Sequence, residues 1–378
     1  MIYLDNASST RLLPEVRAAM EPLLGEEYGN PSSPHAAGRR ARKALEDARD
    51  RVAAALGAAA KEILFTSGAT ESNALAIQGA AEALRAKGDH VVTTEVEHPS
   101  VLESCARLER QGFRVTRLPV DGQGRVDPSR VAAALTSRTI LVSVQWVNNE
   151  TGAIQPIAEI RKAAGRVLLH SDAAQAAGKV ALDVPGVDLL TLSAHKIHGP
   201  KGTGVLRVGR GVPLAPQLAG GGQEFERRAG TENVAGAAGM AEALAIAVRD
   251  LAGQAARMER LRTWLREGLA RVGGMREHGP RDGRAPHLLN VSFEGVEAEP
   301  LVLALDAEGL CVSSGSACAS LAAEPSHVLR AMGLPPEAVK GAVRFGLSRL
   351  TTEEEIDLAA ALVSRVVARL RGVPAVSR

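Results

Sequence analysis

Lys196 stands where an apolar run, Leu189 to Leu192, passes into Ser193-Ala194-His195-Lys196 and then a Gly199-Pro200 turn. Open α/β sheets bind ligands at the carboxyl ends of their strands. Desolvation at such an edge can lower the pKa of a lysine and make it a Schiff-base amine. A lone lysine in a loop is far more often an exposed cation. Asp172 ends a second apolar run, Leu168-Leu169-His170-Ser171-Asp172. An acid so placed can pair with a protonated pyridine nitrogen, although a helix N-cap is the commoner role for such a residue. Ser67-Gly68-Ala69-Thr70-Glu71-Ser72-Asn73 joins a strand to a helix through small residues. The free N–H groups and dipole of such a turn suit phosphate; the plainer reading is a tight turn before a capped helix. His98, in Glu97-His98-Pro99-Ser100, could stack on a cofactor or shuttle protons, or be a satisfied structural histidine. Cys318 lies in Ser313-Ser314-Gly315-Ser316-Ala317-Cys318-Ala319-Ser320, with no large apolar neighbour, so its thiol should be reachable. Cys105 and Cys311 sit among apolar residues and read as buried small hydrophobes.

The elements that must position these residues alternate. Apolar positions from Ala37 to Leu56 have helical spacing, closed by Gly57. Residues 62–65 read as a strand, and 73–87 as a helix stopped by Gly88. Short β-branched runs follow at residues 90–94, 139–147, 166–170, 189–193 and 204–208, with helical stretches between several of them. This pattern predicts a mainly parallel sheet covered on both faces. From about residue 250 the pattern changes: a charged helix over 254–272, apolar runs at 288–293 and 299–308, and a last helix from 353 to 370 capped by Thr351 or Thr352. That predicts a second, smaller α+β domain.

Bulk properties set limits. The 378 residues suggest two domains or one large enzyme fold, and 45% hydrophobic with 23% charged residues is ordinary for a soluble globular protein. Forty-five basic and 43 acidic side chains give a net charge of +2, which makes no case for a nucleic-acid or membrane partner. Arg39, Arg40, Arg42 and Lys43 are followed by Glu46 and Asp47 and read as a solvated helix face. Three cysteines without a CxxC are neither a disulfide framework nor a thiolate metal cluster, and suit a reducing cytoplasm. The N-terminus predicts no signal peptide and the chain no membrane span.

Taken in order, these motifs resemble the group I cysteine desulfurases of the class V aminotransferase family, pyridoxal-phosphate fold type I. The matching stretches are LDNAS, GNPSS (29–33), TSGATESN (66–73), EHPSV (97–101), VNNETG (147–152), DAAQ (172–175), SAHKIHGPKG (193–202), GGGQE (220–224), RAGTEN (228–233), SSGSACAS (313–320) and VRFGLSR (343–349). The resemblance implies a large domain over 12–252 with a seven-stranded sheet flanked by helices. It also implies a small domain from 1–11 and 253–378 carrying the Cys318 loop. It implies that Lys196 holds pyridoxal 5'-phosphate through a Schiff base and moves the substrate Cα proton. Asp172 would face the ring nitrogen and His98 would stack on the ring. Gln175 and Asn149 would bond the cofactor oxygen, and Asn149 the substrate as well. Ala69, Thr70, Ser193 and His195 would hold the phosphate, joined by Thr231 from the partner of a homodimer. Arg344 would grip the substrate carboxylate as a bidentate fork, and Cys318 would take sulfur from L-cysteine as a persulfide, leaving alanine. An acceptor such as an iron–sulfur scaffold or a tRNA-thiolation protein would receive that sulfur. The chain ends soon after its last helix, which leaves the acceptor open.

The alternatives are a selenocysteine lyase, a class V transaminase, and a non-enzymatic carrier with a dead site. A transaminase does not need Cys318, and a carrier does not need Lys196, Asp172 and His98 together. There is no GxGxxG or GxxxxGK[ST] for a nucleotide and no HExxH for zinc.

Overall fold

The computed structural model describes residues 1–182, 186–314 and 325–372. Cys318 lies outside the described residues. Strands in chain order are β1 (Ile2–Tyr3), β2 (Ile63–Thr66), β3 (His90–Thr94), β4 (Arg114–Leu118), β5 (Thr139–Ser143), β6 (Leu168–Asp172), β7 (Leu189–Ser193) and β8 (Gly204–Val208). They are followed by β9 (Met275–His278), β10 (Leu288–Phe293), β11 (Leu310–Cys311), β12 (Ser313–Ser314) and β13 (Val343–Gly346).

Seven strands form one sheet in the order β2-β8-β7-β6-β5-β3-β4. Its pairings are parallel from β4 through β3, β5 and β6 to β7; only β8 runs antiparallel to its neighbours β7 and β2. Every residue of β2, β3, β5 and β7 is buried, as a sheet covered on both faces requires. One core (Leu45, Val52, Val142, Leu192, Met240) and another (Leu75, Ile77, Val91, Leu141, Leu206) pack against this sheet.

The second sheet, β12-β13-β10-β9, is antiparallel throughout. Its core gathers Leu4, Leu261, Leu289, Leu305, Phe345 and Val363, and so includes the N-terminus and the helices Leu251–Ala270, Ala298–Ala307 and Glu353–Leu370. β1 pairs parallel with β11. Beyond it, the Asn6 N–H donates to Gly346 O and the Gly346 N–H to Leu4 O. A Cβ on Gly346 would lie 2.7 Å from Ala7 N, so only glycine lets the N-terminal strand this close.

The helix Ala36–Leu56 ends on Gly57 in the left-handed region (φ 62°), at the residue the spacing indicates. The last helix spans Glu353–Leu370 with Thr352, not Thr351, as its cap in a capping box with Glu355. Other elements differ from the sequence reading. The helix expected at 73–87 begins at Ala69 and ends at Ala83, with a π-helical turn over Leu75–Gly79. β5 stops at Ser143: Val144 and Trp146 still donate to His170 O and Asp172 O of the β6 side, but the Gln145 N–H between them turns to the Glu97 carboxyl instead of a strand. β6 runs to Asp172, two residues past the expected end. β4 went unread: as an edge strand it mixes two arginines and a threonine with only two apolar residues, the polar dress that guards edges. Cys105 is buried, but Cys311 is only half buried, because its strand β11 pairs on the rim with β1 alone. Among the described residues no helix is long and apolar enough to cross a membrane, and no cluster of side chains could hold a metal.

Candidate active site

Five parallel strands, β2, β3, β5, β6 and β7, deliver their carboxyl ends to one edge of the large sheet. A cavity of about 490 Å³ lies there. After β2 come Ala69 and Thr70; after β3, His98; after β5, Asn149; and at or after the ends of β6 and β7, Asp172, Gln175, Ser193, His195 and Lys196. The small unit contributes Arg344 from β13, and the N-terminal segment contributes Ala7, Ser8 and Ser9. The structure therefore gathers all the sequence-derived site residues except two. Thr231 is exposed and does not border the cavity. Cys318 is outside the described residues; Ser313 before it bonds the cavity residue Arg344, and Ser326 after it bonds Glu150, next in chain to the cavity residue Asn149. The Ser313 Oγ lies 3.0 Å from Arg344 Nη2, and the Ser326 hydroxyl donates to the Glu150 carboxylate.

The Lys196 Nζ donates to Ala7 O and Ser8 O, each at 2.7 Å. The N-terminal LDNAS segment is thus a strap over the lysine, held further by Gln175 Nε2 donating to Ala7 O at 2.9 Å. Lys179, buried in the turn segment seven residues after Asp172, donates to Lys196 O at 2.6 Å. Burial, and then the charge of Lys196, push its pKa down to about 7.

Asp172 uses both oxygens. Oδ1 accepts from Ala174 N–H at 2.9 Å and Oδ2 from Asn73 Nδ2 at 2.7 Å. The turn-capping role is real, but it occupies one oxygen only. His98 caps the helix Pro99–Arg110 through Nδ1, which accepts from Ser100 N–H at 3.1 Å. Burial lowers its pKa; Asp172 opposes this, and Lys196 and His327 add to it. His195 is lowered to about 4 by burial and by Lys196, Lys201 and Lys179, and its Nδ1 lies 3.3 Å from Ser9 Oγ. Burial thus favours the neutral form of both imidazoles.

Arg344 is nearly inaccessible. Its Nη1 donates to Asn149 O at 2.8 Å, and its Nη2 reaches Ser8 Oγ at 2.7 Å, Ser313 Oγ at 3.0 Å and Asp5 Oδ1 at 3.2 Å. The fork is already engaged on Nη2, so a bidentate grip on a carboxylate needs one of these acceptors to give way. Two buried carboxyls back the site. Glu97 is pushed up to about 8 by burial and Glu150 up to about 7 by the same cause. Burial works to raise the Glu71 pKa, but bonds from Arg228 and Ser67 outweigh it and hold it below the usual range.

Sequence reasoning assigned no role to Asp5, Ser8, Asn73, Glu97, Glu150 or Lys179. All but Lys179 lie inside motifs already singled out, so the signal was present; what was missing was which residues of each motif face inward.

Pyridoxal phosphate fits this donor set. A phosphate needs N–H donors and positive surroundings. Gly68, at φ 152° with open space where a Cβ would stand, opens a helical run whose first N–H groups have no partner within the helix. Ser193, His195 and Lys201 border the same space. A pyridine ring needs an acid and a flat neighbour, and Asp172 and His98 are there; an aldehyde needs an amine, and Lys196 is there.

Fold and donor set define a pyridoxal-phosphate enzyme of the fold type I class. Residues 2–358 match the aminotransferase class-V family, and the chain belongs to it. It is 46% identical to the cysteine desulfurase IscS of Dictyoglomus turgidum, over 98% of this chain and 96% of that one. It is 49% identical to the cysteine desulfurase IscS of Anaeromyxobacter sp. (strain Fw109-5), over 98% and 93%. Among solved structures, a NifS-like protein superposes with a TM-score of 0.91 at 37% identity, covering 97% of this chain and 99% of that one. The structure described as SspA in complex with cysteine matches with a TM-score of 0.81 at 33% identity, covering 93% and 100%.

Proposed function

We propose that this chain is a pyridoxal-phosphate-dependent cysteine desulfurase that takes sulfur from L-cysteine onto Cys318 and releases L-alanine. The observation that carries the reading is the Lys196 amine at the strand-end cavity, with Arg344 on the same cavity and bonded to Ser313, which precedes the Cys318 segment.

When bound, the cofactor supplies an electron sink that acidifies the substrate Cα and accepts the electron pair of its C–S bond. The protein does the rest. Ala69, Thr70, Ser193 and His195 hold the phosphate. Asp172 and His98 fix the ring, and Gln175 and Asn149 bond the ring oxygen. Arg344 orients substrate by its carboxylate, with Asn149 beside it. Lys196 leaves the Ala7 and Ser8 carbonyls, takes the proton from substrate Cα and later returns it. The Cys318 thiolate bonds to the substrate sulfur, the C–S bond breaks, and the carbon side gains a proton to become the methyl of alanine. The persulfide passes to an acceptor such as an iron–sulfur scaffold or a thiolation protein.

The reading includes a homodimer. Thr231 is exposed away from its own cavity, and Leu218 and Phe225 on the same segment are 47% and 48% exposed, a surface that suits a second copy. It also includes a division into 12–252 and 1–11 with 253–378, supported by the separate cores, and a cytoplasmic location without membrane or nucleic-acid partners.

The test measures alanine release and protein-bound persulfide from L-cysteine. Wild type should give both. Cys318→Ser should keep the visible absorbance of bound cofactor but lose the persulfide and nearly all turnover, and Lys196→Ala should lose turnover. Alanine formed from cysteine at the wild-type rate by Cys318→Ser would defeat the assignment of the acceptor thiol.

A further inference from the structure

Asn73 is wholly buried in the helical run that follows the phosphate turn. Its Nδ2 lies 2.7 Å from Asp172 Oδ2 and 2.8 Å from Ser100 Oγ. An amide nitrogen has two hydrogens and a carboxylate oxygen accepts, so the amide can stand only with its nitrogen toward Asp172. Both hydrogens are then spent. Ser100 Oγ accepts one of them and keeps its own hydrogen to give. The His98 Nδ1 lies 2.8 Å from that hydroxyl and also receives the Ser100 N–H, which can only donate. Nδ1 is therefore an acceptor twice over, and in the neutral ring the proton sits on Nε2.

A chain of bonds thus runs from Asp172 through Asn73 and Ser100 to His98. It ties together β6, the phosphate-turn helix and the cap of the helix Pro99–Arg110. The amide oxygen of Asn73 is buried and, among the described residues, has no hydrogen-bond partner. Burying that oxygen costs desolvation that nothing returns. A residue needed only for packing would be better apolar, so the amide is explained by its two donor bonds.

We propose that Asn73 is a positioning residue that acts through Asp172, setting the plane of the acid, while its bond to Ser100 ties that acid to the His98 cap. This rests on the roles given above to Asp172 and His98. Loss of Asn73 lets the Asp172 carboxylate swing from the ring nitrogen, while the Ser100 N–H still holds His98 Nδ1 as an acceptor.

The test uses PLP-loaded Asn73→Leu, of similar bulk, with Asp172→Asn as the comparator. Three quantities are read: the pH at which the visible band of bound PLP titrates, the kcat and KM for L-cysteine, and the melting temperature. In Asn73→Leu the titration should move upward by about one pH unit, tenfold in the equilibrium, because a ring nitrogen without its acid loses its positive charge. Turnover should fall tenfold or more, with KM changed less than threefold. A wild-type titration in Asn73→Leu, with only a lower melting temperature, would reduce the residue to packing and overturn the proposal. If Asp172→Asn also titrates as wild type, the reading of Asp172 is what has failed. Should Asn73→Leu not fold, isosteric Asn73→Asp carries the test. It puts two carboxyls in contact, which cannot both stay charged, and must also shift the band. If neither variant folds, Asn73 is a structural anchor and the proposal is lost.

Discussion

Two backbone carbonyls hold the Lys196 amine, and both come from the strap at residues 7 and 8. To react, the amine must leave them, so the strap competes with the chemistry it covers. Lys179 donates to Lys196 O, and the Lys196 charge adds to the burial that pushes the Lys179 pKa down to about 7. Arg344 shows the same tension: Asp5, Ser8 and Ser313 fix the guanidinium plane yet occupy Nη2. Lysine cannot reproduce a planar fork that also reaches Asn149 O. Steady-state kinetics of Arg344→Lys should show KM for L-cysteine raised about tenfold, or about 1.4 kcal/mol, with the visible band of bound cofactor unchanged. An unchanged KM would remove Arg344 from substrate binding.

The elements act through how closely they approach. β8 begins at Gly204, where a Cβ would stand 2.6 Å from the Gly68 backbone and 2.9 Å from Leu192 O. That contact seats the phosphate turn against the sheet. Gly204→Ala must push the turn outward, and equilibrium dialysis should find PLP binding weakened about tenfold, with a stability loss of about 1–3 kcal/mol. Wild-type affinity in that variant would mean the turn is seated by something else. The strands at 90–94, 189–193 and 204–208 were legible to the residue, because each is a short, mostly buried run bounded by polar or turn residues. β4 was not, since an edge strand carries its arginines outward and loses the apolar signature. The start of the phosphate helix was also hidden. Ala69 and Thr70 directly follow Ser67-Gly68, which read as a turn, and Thr is a weak helix former.

For the whole molecule, buried imidazoles set the response to acid. Burial pushes His170, His195, His198 and His278 down to about 4, and His287 well below its ordinary value. Their folded pKa values lie under the unfolded value near 6.5. The stability they contribute is therefore present above pH 6.5 and is lost as pH falls toward 4. His170 stitches three strands, with Nδ1 2.8 Å from Ser143 Oγ and Nε2 3.1 Å from Thr191 Oγ1. His170→Gln should be less stable at pH 7, yet its unfolding free energy should fall less steeply between pH 6.5 and 4, by up to about one proton per molecule. Denaturant titrations across that range decide it, and an unchanged slope would show that His170 is not among the groups that charge on unfolding.

By itself the sequence determined the family, the alternating sheet and the residue types of the site, because each motif sits where an apolar run ends and needs no distant partner to be seen. Tertiary structure alone decided that the first ten residues cross the lysine, that Asp5 and Ser313 share Arg344, and that one amide from the phosphate helix joins Asp172 to His98. Those pairings span up to 339 positions of chain. Hydropathy and spacing report only a residue's near neighbours, and packing chooses the far ones.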